Sequence, residues 1–79
     1  MGNIWSVAQL RTPEAMQLIG TNLKKYRMEK KLSQESLANL SSIDWSTISR
    51  IERGIVNTSV SVVFALANAL EIKPYQLLE

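Results

Sequence analysis

Apolar positions recur three and four residues apart along most of the chain, and the polar residues between them fall where helices start and stop. Thr12-Pro13-Glu14 combines a capping hydroxyl, a proline suited to a first helical position and a first-turn acid. Behind it Ile19, Leu23 and Tyr26 mark one face of a first helix reaching about Lys30. Ser33 caps a short second helix, Gln34 to Leu40, with Leu37 and Ala38 facing inward. After Ser41-Ser42, Asp44 caps a third helix to about Arg53, with Ile43 and Ile48 at the two positions of a hydrophobic staple. Gly54 is its left-handed stop. Ser59 caps a fourth helix to Leu70 that carries Val60, Val63, Leu66, Ala67 and Leu70. Lys73-Pro74 opens a fifth, anchored by Leu77 and Leu78. The pattern predicts an all-α domain of five helices over residues 12–79. Residues 1–11 form a leader in which Ile4, Trp5, Val7 and Leu10 could dock on a folded surface.

Composition narrows the chemistry. The 79 residues contain no cysteine and no histidine. Disulfides, thiol nucleophiles, the usual zinc ligands and the commonest general base are therefore unavailable to them. Seven Asp and Glu remain, scattered and in no recognised catalytic pairing, so neither an enzyme, a metal site nor a cofactor is expected. At 46% apolar residues the chain is too hydrophobic for disorder. A domain of this size buries only about 60% of its unfolded surface, so tight helix packing or oligomerisation must supplement the core. The longest apolar run, Val62 to Ala67, is six residues and cannot span a membrane. No secretion signal is evident, so the expected residence is cytoplasmic.

Charge matters here through its placement. The net charge is only +2, yet five of the eight residues from Lys24 to Lys31 are basic, and Arg50 and Arg53 add a second pair. A solvated helix face explains such a run as readily as an anionic partner does. The third helix separates the two explanations better. At 100° per residue, Thr47, Ile48 and Ile51 share one side, the core face. Ser46, Ser49, Arg50 and Arg53 occupy the other, with Trp45 at its margin. Small hydroxyls beside arginines let a helix sit deep in a groove and donate to phosphates and base edges, whereas solvation alone would favour long lysines and glutamates.

The stretch Leu32-Ser33-Gln34-Glu35-Ser36-Leu37-Ala38, followed by Ser46-Thr47-Ile48-Ser49-Arg50-Ile51-Glu52-Arg53-Gly54, resembles the Cro/CI-type (XRE) helix-turn-helix family of transcriptional regulators. Ile19-Gly20, Arg27, Asn57-Thr58-Ser59, Leu66-Ala67 and Ala69-Leu70 fit the same pattern, so the resemblance covers roughly residues 15–79. The chain is also similar to the small controller proteins of restriction–modification systems, and phage and plasmid repressors share these features. The resemblance implies a compact lambda-repressor-like fold with the helix-turn-helix at helices two and three. It implies a homodimer on a near-palindromic double-stranded DNA operator.

The family pattern also assigns roles by position. Gln34 matches a glutamine whose amide meets a DNA phosphate, beside a helix N-terminus that offers N–H groups to the same anion. Trp45, Ser46, Ser49 and Arg50 occupy base-reading positions, and Arg50 could fork onto a guanine or reach a phosphate. Trp45 could pack on thymine methyls or the sugar backbone, or cover the protein's own core. Lys24, Arg27, Thr47, Arg53, Asn57 and Thr58 complete the expected phosphate contacts, the last two mainly through backbone N–H groups. Arg27 and Glu52 match a structural ion pair. Lys31 and Ser42 stand where glycine is frequent, which suggests left-handed backbone at some cost. Apolar Phe64 and Ala65, where relatives are often charged, suggest a covered surface: the leader or a second subunit, with Tyr75 and Leu78 extending the dimer interface. Glu35 matches a position where relatives touch RNA polymerase. An antitoxin-like module that binds another protein is the alternative from a different class.

Overall fold

The computed structural model describes residues 12–79; the leader and its apolar residues lie outside the described part. Among the described residues four α-helices follow in order: α1 (Thr12–Glu29), α2 (Gln34–Ser41), α3 (Trp45–Glu52) and α4 (Val60–Leu70). A 3₁₀ turn, Pro74–Leu77, ends the sequence of elements, and no strand occurs among the described residues. The expected fifth helix is therefore a single turn. Left-handed backbone at Glu71 ends α4, and only Leu77 of its two expected anchors is buried, while Leu78 is exposed.

Three expected caps are present. Ser33 Oγ accepts from the Ser36 amide at 3.0 Å, Asp44 from Thr47 at 3.1 Å and Ser59 from Val62 at 3.2 Å. Each satisfies an amide that the first helical turn leaves without a partner. The C-termini all close in left-handed backbone: Lys31 at φ 58°, Ser42 at 63°, Gly54 at 73° and Glu71 at 60°. After α3, Gly54 N–H bonds the Ile51 carbonyl and Ile55 N–H the Arg50 carbonyl, the paired closure of a Schellman motif. Glycine is used at one of these four stops; the other three carry a side chain where it costs about 1–2 kcal/mol each.

Leu23, Leu37, Ile48, Ile51, Val63, Leu66, Ala67, Leu70 and Leu77 form one buried core, with every helix and the 3₁₀ turn contributing. Ile43 packs against it, as its staple position requires. Val60, expected among the apolar positions of α4, is 72% exposed instead. It is the first residue of the helix and precedes the turn that meets the core. The α1–α3 contact is the most extensive between elements, and it fixes where α3 stands. Gly20 makes that approach possible: a Cβ there would land on the Ile51 carbonyl oxygen.

Candidate nucleic-acid interface

α3 lies between a buried seam and solvent. Ile48 and Ile51 fill the core, Thr47 is half-buried beside them, and Arg50 and Arg53 are exposed on the far side. Ser46 and Ser49, between these extremes, are half-buried. Ile48 and Ile51 inward and Arg50 and Arg53 outward follow the expected division, whereas Ser46 and Ser49, expected on the outer arc, are half-buried as Thr47 is.

The N-terminus of α3 is organised by Asp44. Its carboxylate accepts from Ser46 Oγ at 2.6 Å, Thr47 Oγ1 at 2.8 Å and the Thr47 amide at 3.1 Å. The Ser46 hydroxyl foremost, then the hydroxyl and amide of Thr47, hold the Asp44 carboxyl at about 2, below its ordinary 3.8. Both hydroxyl protons are occupied in this arrangement, so the Ser46 and Thr47 hydroxyls can act toward a ligand only as acceptors.

A second network ties α3 to α1 and α2. Arg27 donates from Nε to Glu52 Oε2 at 2.6 Å and from Nη2 to Oε1 at 3.0 Å, and its Nη1 donates to the Leu32 carbonyl at 2.7 Å. The Arg27 and Glu52 side chains are only 12% and 4% exposed. Hydrogen bonding with Glu52 raises the Arg27 pKa above its ordinary value, against the opposing pull of desolvation. Gln34 Nε2 also donates to Glu52 Oε1 at 3.0 Å, and Gln34 Oε1 accepts from Trp45 Nε1 at 3.0 Å. The chemistry allows one orientation of this amide. A carboxylate only accepts and an indole N–H only donates, so the nitrogen must face Glu52 and the oxygen Trp45. One N–H of Gln34 remains for a phosphate at the start of α2.

The other candidate residues are distributed around this frame. Trp45 is 52% exposed, so it does not cover the core, and its ring stands at the margin of the outer arc. The Arg50 guanidinium has no hydrogen bond or ion pair with a described residue; Arg53 Nε makes a long contact, 3.4 Å, to the Ser49 carbonyl. Lys24 is exposed on α1 and Asn57 on the loop after α3. The Thr58 hydroxyl oxygen is buried and has no hydrogen-bond partner among the described residues, which leaves the backbone as that residue's outward donor. No acidic cluster suited to a metal ion occurs among the described residues. Gly20 and Gln34 fit the family pattern, but the sequence does not show the roles they play here. Gly20 sets the depth of α3, and Gln34 links Trp45, eleven positions away, to Glu52, eighteen away. The linked residues lie on two different helices, so periodicity within either one does not bring them together.

Away from this face, Val60, Phe64, Ala65, Asn68, Ile72 and Pro74 line an open groove of about 730 Å³ along α4. Phe64 is 56% exposed there. Tyr75, on the 3₁₀ turn, and Leu78, just after it, are also more than half exposed but lie outside this lining.

Two short helices joined by a tight turn, the second held by the first with a polar arc outward, define a helix-turn-helix protein. The helix-turn-helix family HTH_3 matches residues 23–77, and the chain belongs to this XRE-type family of transcriptional regulators. It is 35% identical over 60 residues to the HTH-type transcriptional regulator y4dJ of Sinorhizobium fredii, covering 76% of this chain and 78% of that protein. Among solved structures, the restriction-modification controller protein C.AhdI from Aeromonas hydrophila is similar, with a TM-score of 0.76 and 42% identity. That match covers 78% of this chain and 94% of the controller. The hypothetical transcription factor NHTF from Neisseria aligns with a TM-score of 0.81 at 30% identity, over 87% of this chain and 79% of its own. No helix among the described residues is long and apolar enough to cross a membrane.

Proposed function

We propose that two copies of this chain bind a near-palindromic DNA operator in the cytoplasm, each laying α3 in a major groove, and so regulate transcription. The observation that carries this reading is the outer arc of α3. Arg50 stands there without a partner among the described residues, on a helix held by Asp44, Glu52 and Gly20. A helix already held in place loses little further freedom on binding. In this reading Ser46, Ser49, Arg50 and Trp45 face base edges. The second N–H of Gln34, together with Lys24, Arg27, Arg53 and the Asn57–Thr58 backbone, faces phosphates; Thr47, also expected there, has both its hydroxyl and its amide donating to Asp44 and keeps no donor for one. Glu35, exposed in the first turn of α2, is open to RNA polymerase. The regulated genes are those of a restriction–modification system, a reading supported by the likeness to C.AhdI.

Dimerisation is supported by the apolar groove on α4, where a second copy would cover Phe64 and Ala65, with Tyr75 and Leu78 extending the contact. That groove equally favours a protein partner of another kind, as in an antitoxin-like module. Selection from a random DNA pool separates the two: a regulator enriches a sequence, an interaction module enriches none. On the selected duplex, Arg50→Ala should cost about 1–3 kcal/mol of affinity, concentrated at one base pair. Uniform weakening across base variants would make Arg50 a phosphate contact. Affinity should also fall steeply with salt, as phosphate neutralisation requires.

A further inference from the structure

We infer that Trp45 reads the C5-methyl group of a pyrimidine in the major groove, and makes no hydrogen bond to a base edge. This rests on the DNA-reading function proposed above and names the chemistry of one of its contacts. Tryptophan has a single polar atom, the indole N–H, which can only donate. In this chain that donor is already occupied: Trp45 Nε1 bonds Gln34 Oε1 at 3.0 Å. The acceptor is itself held in place, because the nitrogen of the same amide bonds Glu52 Oε1 at 3.0 Å and Arg27 holds Glu52 from the other side. Turning the indole N–H toward a base would break the first link of this chain and leave Gln34 Oε1 without its donor. What Trp45 presents to a ligand is therefore carbon.

Its position suits that role. Trp45 is the first residue of α3, beside the outer arc, and is 52% exposed. The ring supplies no packing to the core, since it is absent from the buried cluster. In the major groove the apolar feature of a base pair is the C5-methyl of thymine, and 5-methylcytosine presents the same group at the same place. The bond from its N–H restrains the indole, so covering one methyl costs less ordering than it would for an unheld ring.

The test uses the full chain and a duplex recovered by selection from a random pool. Each thymine is replaced singly by uracil, and each cytosine by 5-methylcytosine, and affinities are measured for the wild type and for Trp45→Ala. Removing one buried methyl should weaken wild-type binding about fourfold at one position per half-site, the equivalent of a single apolar carbon. At that position 5-methylcytosine should likewise bind about fourfold tighter than cytosine when either replaces the thymine, which distinguishes the methyl from the rest of the base. Trp45→Ala should abolish both effects. Its exposed side chain can be removed without opening the core, and an unchanged melting temperature will verify that the variant folds. A methyl effect that persists in Trp45→Ala, or no methyl effect at any position of a selected site, overturns the inference and leaves DNA reading by α3 standing. Failure to enrich any sequence overturns both.

Discussion

Along the α1–α3 seam, Arg27, Gln34 and Glu52 find their partners within the chain, whereas on α4 Val60 and Phe64 are left 72% and 56% exposed beside an open groove. The two regions solve the problem of a thin core in different ways. The seam is completed internally: a bidentate ion pair, an oriented amide and a glycine contact set one geometry for α3. The α4 face is apolar and has no cover among the described residues. The first region fixes what the protein presents; the second leaves surface for something outside the domain to complete. The proposed function asks for a reading helix and an association surface, and the residues assigned to the two do not overlap.

The sharpest way to break this contrast is to disturb the seam. Arg27→Ala should cost about 3–5 kcal/mol in urea unfolding, because the nearly buried Glu52 carboxylate would lose its cation and keep only the Gln34 N–H. A loss below about 1 kcal/mol would place the pair with ordinary surface bridges. Gly20→Ala should follow at about 1–3 kcal/mol or more, since the added methyl must push α1 away from the Ile51 carbonyl. Such a shift also moves α3, so DNA affinity should fall in the same variant while the melting transition stays cooperative.

The opposite region predicts a different readout. Phe64→Glu should leave the fold intact and weaken self-association at least tenfold, about 1.4 kcal/mol, by placing a charge in the apolar contact. Sedimentation at several protein concentrations measures this directly. An unchanged dimer would move the interface away from α4.

The smallest effect concerns pH. Asp44 titrates at about 2 when folded against an ordinary 3.8, so its contribution to stability is complete above about pH 4 and is lost as pH falls through 2. Asp44→Asn keeps a capping side chain but removes the titration, so thermal melts from pH 6 to pH 2 should show a shallower acid limb than the wild type. Parallel limbs would show that the Ser46 and Thr47 bonds do not favour the carboxylate in solution.

Legibility followed the range of the forces involved. Ser33, Asp44 and Ser59 were readable as caps because a cap is decided within four residues. Gly54 was readable as a stop, and the left-handed backbone at Lys31 and Ser42 followed from comparison with positions that favour glycine. Glu71, which adopts the same conformation, carries no such mark, and the last helix was overestimated because Pro74 signals a start without fixing a length. At the site, the inner and outer arcs of α3 follow from 100° periodicity. The bond from Trp45 to Gln34 does not, because it depends on how α2 and α3 cross. For the same reason an aromatic that the sequence left between groove, backbone and core became interpretable only when its N–H was seen to have a partner.

The central claim is that two α3 helices, one from each copy, enter successive major grooves of one site. Hydroxyl-radical footprinting on the selected duplex tests it most directly. The account predicts two protected windows related by a dyad, with centres about 34 Å apart, roughly one turn of DNA. A single protected window, or an asymmetric one whose extent does not change when Phe64→Glu disrupts the dimer, would contradict it.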